Sequence, residues 1–177
     1  MWVARRGYNS GMSDSAESVA RGFVRAINLQ DVDALAELMT EGHRFVDSLG
    51  NAAEGREKMQ AAWAAYFLMV PDYSIAVEEI YCDTKGGDAG PSTASAAADS
   101  AQDDSIFVGS AQEVVVMLGV AQGTYAADGQ LKAENRWKTP AAFRALIEDG
   151  KVAEWRVYAD NDPIRRRMAK TGPTKTS

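Results

Sequence analysis

The hydrophobic pattern of this chain changes period at Pro71, and that change restricts the architecture more than any other feature. Before it, apolar residues recur every three or four positions. Val19, Phe23, Ala26 and Ile27 mark a first helix, which Asp14 and Glu17 open as a capping box and Gln30 ends. "DVDALAELM" places Leu35, Leu38 and Met39 on one face of a second helix. From Gly55, Met59, Trp63, Tyr66, Phe67 and Val70 form the stripe of a third, which Pro71-Asp72 stops. After Pro71 the residues alternate: "YSIAVEEIYC", "EVVVMLGVAQGTY", "PAAFRALIE" and "KVAEWRVYA" read as strands, and Asp149-Gly150 is a hairpin signal. One short alternating stretch, "RFVDSL", lies between the second and third helices. Helices followed by antiparallel strands predict an α+β fold: three N-terminal helices packed on a curved antiparallel sheet, a cone-shaped roll whose mouth is a natural small-molecule pocket.

At 177 residues the chain suits one domain, expected over 13–168, with a disordered extension at 1–12 and a flexible tail at 169–177. Residues 84–105, "TKGGDAGPSTASAAADSAQDDS", carry no large apolar side chain and read as a mobile insertion between two strands, because they bury too little to offset their ordering entropy. With 19 Lys and Arg against 25 Asp and Glu, the net charge of −6 argues against nucleic acid or an anionic membrane surface as partner. "AAWAAYFLMV" stops too early to span a bilayer. A lone Cys82 excludes an internal disulfide and suits a reducing, cytoplasmic setting; one Cys and one His make a zinc site of the usual ligands improbable, and no phosphate loop points to a cofactor.

Candidate site residues begin with "HRFVDSLGN". Alternation puts His43, Phe45 and Asp47 on one strand face. An aspartate among Phe45, Trp63, Phe67 and Trp155 would have its proton affinity raised toward that of a useful base, whereas the plainer role is to bind the amides of its own loop. His43 could relay a proton or orient Asp47; a buried imidazole bonded to a backbone carbonyl is the commoner arrangement. Tyr66 and Tyr158 bring hydroxyls that could orient a ligand, and Trp137 adds to the aromatic count. Arg144 would face the cone if Ala142 does, to bind a carboxylate or to pair with an acid such as Glu113. Val114, Val116 and Leu118 face outward in the strand pattern, an apolar liability unless a second copy covers them.

"ALAELMTEGHRFVDSLGNAAEGREKM" and the late "DGKVAEWRVY" resemble the nuclear transport factor 2-like (cystatin-like) superfamily, and within it the SnoaL-like group that includes polyketide cyclases. The resemblance spans about residues 14–165 and implies the cone fold, pairing of two subunits through the sheet, and a cofactor-free apolar pocket. Asp47 falls where the related ketosteroid isomerases carry their base, but their two oxyanion donors fall on Phe23 and Ala142, which have no donor to offer. The catalytic Asp–Arg–Asp set of the limonene epoxide hydrolases falls on Ala121, Gly119 and Val157, which excludes that mechanism. For a cyclase, Asp160 is the nearest second carboxylate. The expected function is therefore binding of a small hydrophobic molecule in the cone, either with Asp47 and His43 as catalytic groups of an isomerase- or cyclase-type proton transfer, or as a non-catalytic binding module. Phe45, Trp63, Tyr66, Phe67, Arg144, Trp155 and Tyr158 are the expected substrate contacts.

Overall fold

A computed structural model describes residues 15–84, 112–126, 129–162, 165, 166 and 168. The expected extension, tail and insertion lie outside the described residues, Thr84 excepted, which ends a strand. Three helices, α1 (Ala16–Leu29), α2 (Val32–Leu38) and α3 (Arg56–Met69), accompany six strands: β1 (Met39–Val46), β2 (Ala52–Glu54), β3 (Ser74–Thr84), β4 (Gln112–Thr124), β5 (Arg136–Glu148) and β6 (Lys151–Ala159). The strand order is β2-β1-β6-β5-β4-β3. All neighbours are antiparallel except β1 and β6, which run parallel, so the expected antiparallel sheet is in fact mixed. The helical crossover and the meander between β1 and β6 return the chain in the direction in which it left. That single parallel pairing joins β1 and β2 to the antiparallel run of β3 to β6, on which α1 packs.

The α+β expectation holds, and local chemistry explains most of the boundaries. Helix α1 buries Val19, Phe23, Ala26 and Ile27. Its N-cap is Ser15, whose hydroxyl accepts from the Ser18 amide at 3.2 Å, rather than the Asp14 capping box expected from sequence. Asp31 caps α2 through the Ala34 amide at 3.0 Å. Asp149 (φ 49°) and Gly150 (φ 74°) both occupy the left-handed region, as a two-residue hairpin between β5 and β6 requires. Asn28 does what no pattern announced: its side-chain amide donates to the Ile75 carbonyl at 2.9 Å and accepts from the Ile75 amide at 2.7 Å. It thereby stands in for a missing strand at the β3 edge and fastens α1 to the sheet.

The core lies between the helices and the inner sheet face. Phe23, Ile27, Leu35, Met117, Phe143 and Trp155 are wholly or almost wholly buried there. Burial along β5 alternates strictly, with Trp137, Thr139, Ala141, Phe143 and Ala145 inward. Arg144 and Ala142 therefore face outward, which corrects the expectation that they enter the cone.

Candidate functional site

Between α3 and the inner face of β1, β4, β5 and β6 lies a cavity of about 430 Å³. Aromatic rings line it in a connected series. Phe45 meets Trp63 edge-on with centroids 6.1 Å apart, Trp63 meets Tyr66 at 5.9 Å, Tyr66 meets Tyr73 at 5.1 Å and Tyr73 meets Trp137 at 5.9 Å. Three segments bring these rings together. Trp63 and Tyr66 lie one turn apart on α3, Tyr73 follows the Pro71 turn, and Trp137 opens the inward series of β5. Asp72 secures the turn by accepting from the Thr124 amide at 2.5 Å and the Thr124 hydroxyl at 2.7 Å. Among the described lining residues only Asp47 and Arg165 carry charge.

Asp47 sits beside the cavity with its carboxylate turned to its own loop. Oδ1 accepts from the Leu49 and Asn51 amides, both at 2.9 Å, and Oδ2 accepts from Asn51 Nδ2 at 2.9 Å. The slight burial pushes its pKa up, but the Asn51 side chain and the Asn51, Leu49 and Gly50 amides outweigh that and hold it below the usual aspartate range. The raised proton affinity expected of it is therefore corrected: the loop amides solvate the charge that the aromatic wall would not.

His43 lies deeper in the cone, wholly buried beneath Phe23, with ring centroids 5.8 Å apart. Its Nδ1 is 2.7 Å from the Val152 carbonyl, and its Nε2 is buried without a partner. Burial drives its pKa down, against the opposing pull of the Val152 carbonyl and Glu154. It does not line the cavity and makes no hydrogen bond to Asp47.

The expected contacts thus separate. Phe45, Trp63 and Tyr66 line the cavity beside Asp47. Phe67 packs behind Trp63 at 5.4 Å, and Trp155 is wholly buried between Phe23 and Phe143, so both belong to the core and not to the cavity wall. Tyr158 is half exposed on the outer face. Arg144 is on that face too, 2.8 Å from Glu154 and not paired with Glu113. Around Glu154, Arg44 at 2.7 Å and Arg156 at 3.2 Å complete a three-arginine cluster. Tyr73, Thr139, Val157 and Asn161 also line the cavity, and none of them was expected as a contact from the sequence. Alternation would have found Thr139, had β5 been started at Arg136 and its phase set by Trp137, whereas Val157 lies on β6 and takes the inner face through its pairing with Phe143. Asp160 accepts from the Asp162 amide at 2.9 Å and is not part of the wall. Among the described residues no group of His, Cys, Asp and Glu could hold a metal ion, and no helix is long and apolar enough to cross a membrane.

Comparison with known proteins agrees with this geometry. No curated protein matches the sequence. Solved structures do, at low identity. A hypothetical protein of Catenulispora acidiphila with a ketosteroid isomerase-like fold, solved with trimethylamine, superposes with TM-score 0.60 at 15% identity, covering 88% of this chain and 97% of that one. A Shewanella putrefaciens protein provisionally assigned as a SnoaL-like polyketide cyclase gives 0.60 at 14%, covering 90% and 100%. An uncharacterised cystatin-fold protein of Novosphingobium aromaticivorans gives 0.54 at 20%, covering 83% and 98%. At such identities these likenesses show the fold alone. A family model decides the kinship: the SnoaL-like domain matches residues 20–155, and the chain belongs to that family.

Proposed function

We propose that this protein binds a small, neutral, hydrophobic molecule in the cone and does so as a binding module. The observation that carries this reading is a cavity of about 430 Å³ walled by aromatic and aliphatic side chains, with Asp47 and Arg165 as the charged residues among the described lining. An isomerase or cyclase working through Asp47 is the competing reading. It asks of that carboxylate a proton affinity that three hydrogen bonds from its own loop remove. It also leaves His43 sealed away from Asp47 and from the cavity.

Two copies pair through the outer sheet face in this proposal. Val114, Val116 and Leu118 lie outward on β4, with Leu118 38% exposed, and a second copy would remove them from water.

Titration with N-phenyl-1-naphthylamine, a neutral fluorophore that brightens in apolar surroundings, tests the binding reading. Saturable binding of one fluorophore per chain is expected, and Ala121→Trp should abolish it by filling the cavity from β4. Unsaturable binding, or binding indifferent to Ala121→Trp, would refute the reading. A proton-transfer activity lost in Asp47→Asn with affinity kept would restore the enzymatic one.

A further inference from the structure

The aromatic wall contains two hydroxyl groups that the fold does not use. Tyr66 and Tyr73 meet edge-on at 5.1 Å, and neither hydroxyl hydrogen-bonds another described residue. Buried polar groups rarely go unpaired, and phenol groups at a cavity wall are available to whatever enters. Burial pushes both phenols far above the neutral range, and each therefore stays a donor at any physiological pH. Both residues line the same cavity, from α3 and from the residue just before β3, with ring centroids 5.1 Å apart. Trp63 and Trp137, which flank the pair, also have indole N–H groups without partners. An indole can only donate. The free polar capacity of this wall is thus weighted toward donors, on the side of the cavity formed by α3 and the start of β3. No carboxylate among these residues could receive a cation.

We propose that Tyr66 and Tyr73 form a two-hydroxyl receptor for a carbonyl oxygen carried on an otherwise apolar, aromatic-sized ligand. One carbonyl offers two lone pairs, one for each hydroxyl, while the surrounding rings take its hydrocarbon body. The assignment rests on the binding reading above and adds to it the chemical class of the occupant. These hydroxyls come from positions other than Phe23 and Ala142, so they do not rebuild the isomerases' oxyanion site.

A matched pair of probes tests it: 9-fluorenone, which carries one ketone, and fluorene, the hydrocarbon of the same outline. Calorimetric titration should find fluorenone about ten- to thirtyfold tighter, the gain expected of two net hydrogen bonds. The carbonyl stretching band of bound fluorenone should move to lower wavenumber. In the Tyr66→Phe, Tyr73→Phe double variant both the preference and the band shift should disappear. Fluorene affinity should be unchanged there, which also shows that the variant has folded. Equal affinities with an unshifted band would overturn the two-hydroxyl receptor and leave the binding reading standing. Failure of both probes to bind would overturn the binding reading and this proposal with it.

Discussion

Glu154 holds the outer face of the sheet together electrostatically, and replacing it by Gln measures how much that matters. Glu154 is 8% exposed, and its carboxylate lies 2.7, 2.8 and 3.2 Å from Arg44, Arg144 and Arg156. These arginines come from β1, β5 and β6, and the cluster spans the parallel seam and the last hairpin. Burial pushes the Glu154 carboxyl up, but the three guanidinium groups overcome it and hold the pKa below the usual range. The arginine side chains are 39%, 32% and 33% exposed, so on losing their partner they are resolvated and each pair is worth a surface-like ~0.5–1 kcal/mol. Three such pairs give about 2 kcal/mol for Glu154→Gln, or a melting temperature lower by about 4–8 °C. The contribution of a lowered carboxyl is present above the unfolded-state pKa of about 4.3 and is lost as pH falls through the folded one. The difference between wild type and Glu154→Gln in urea unfolding should thus be full at pH 7 and close below about pH 4. A variant within ~0.5 kcal/mol of wild type at pH 7 would show that the cluster is solvated surface and contributes no stability.

Three further outcomes follow from the same geometry. His43 prefers to be neutral in the folded state, so stability should be full above about pH 6.5 and fall as pH drops through the folded pKa, at no more than about 1.4 kcal/mol per pH unit; urea midpoints between pH 7.5 and 5 check this, and a flat profile would contradict it. A Cβ on Gly119 would lie 2.0 Å from the Ala76 carbonyl oxygen, beside the register shift between β3 and β4, and Gly119→Ala should cost about 2–3 kcal/mol in chemical denaturation, a neutral effect being the refuting result. If two copies pair through the outer face, Leu118→Asp should halve the mass found by sedimentation at micromolar concentration without lowering the yield of folded protein; an unchanged mass would place the contact elsewhere.

Sequence periodicity carried the helices, the long strands and their division at Pro71, because burial on one face writes itself into spacing. What it could not carry was pairing. The parallel β1–β6 contact joins residues such as Phe45 and Trp155 that no local pattern relates. β2, only Ala52–Glu54, has too few residues to show a period. In the site, Phe45, Trp63 and Tyr66 were legible since they sit on strongly periodic elements. Arg144 was misplaced because alternation has two phases, and the choice between them was taken from Ala142 instead of from Trp137 and Phe143. Asp47 lies at the cavity, and of the two roles that the sequence left open its carboxylate makes the plainer contact, with the amides of its own loop. Its solvation by Leu49 and Asn51 depends on the loop's fold, which composition does not reveal.

The central claim is that the apolar cavity, and not the exposed sheet face, is where this protein receives a small hydrophobic molecule. Intermolecular NOEs from bound N-phenyl-1-naphthylamine test it most directly. The account requires contacts to the Met59 methyl, the Trp137 ring and Ala121, all of which line the cavity. Contacts confined to Val114, Val116 and Leu118 on the outer face, with none to those three, would contradict it.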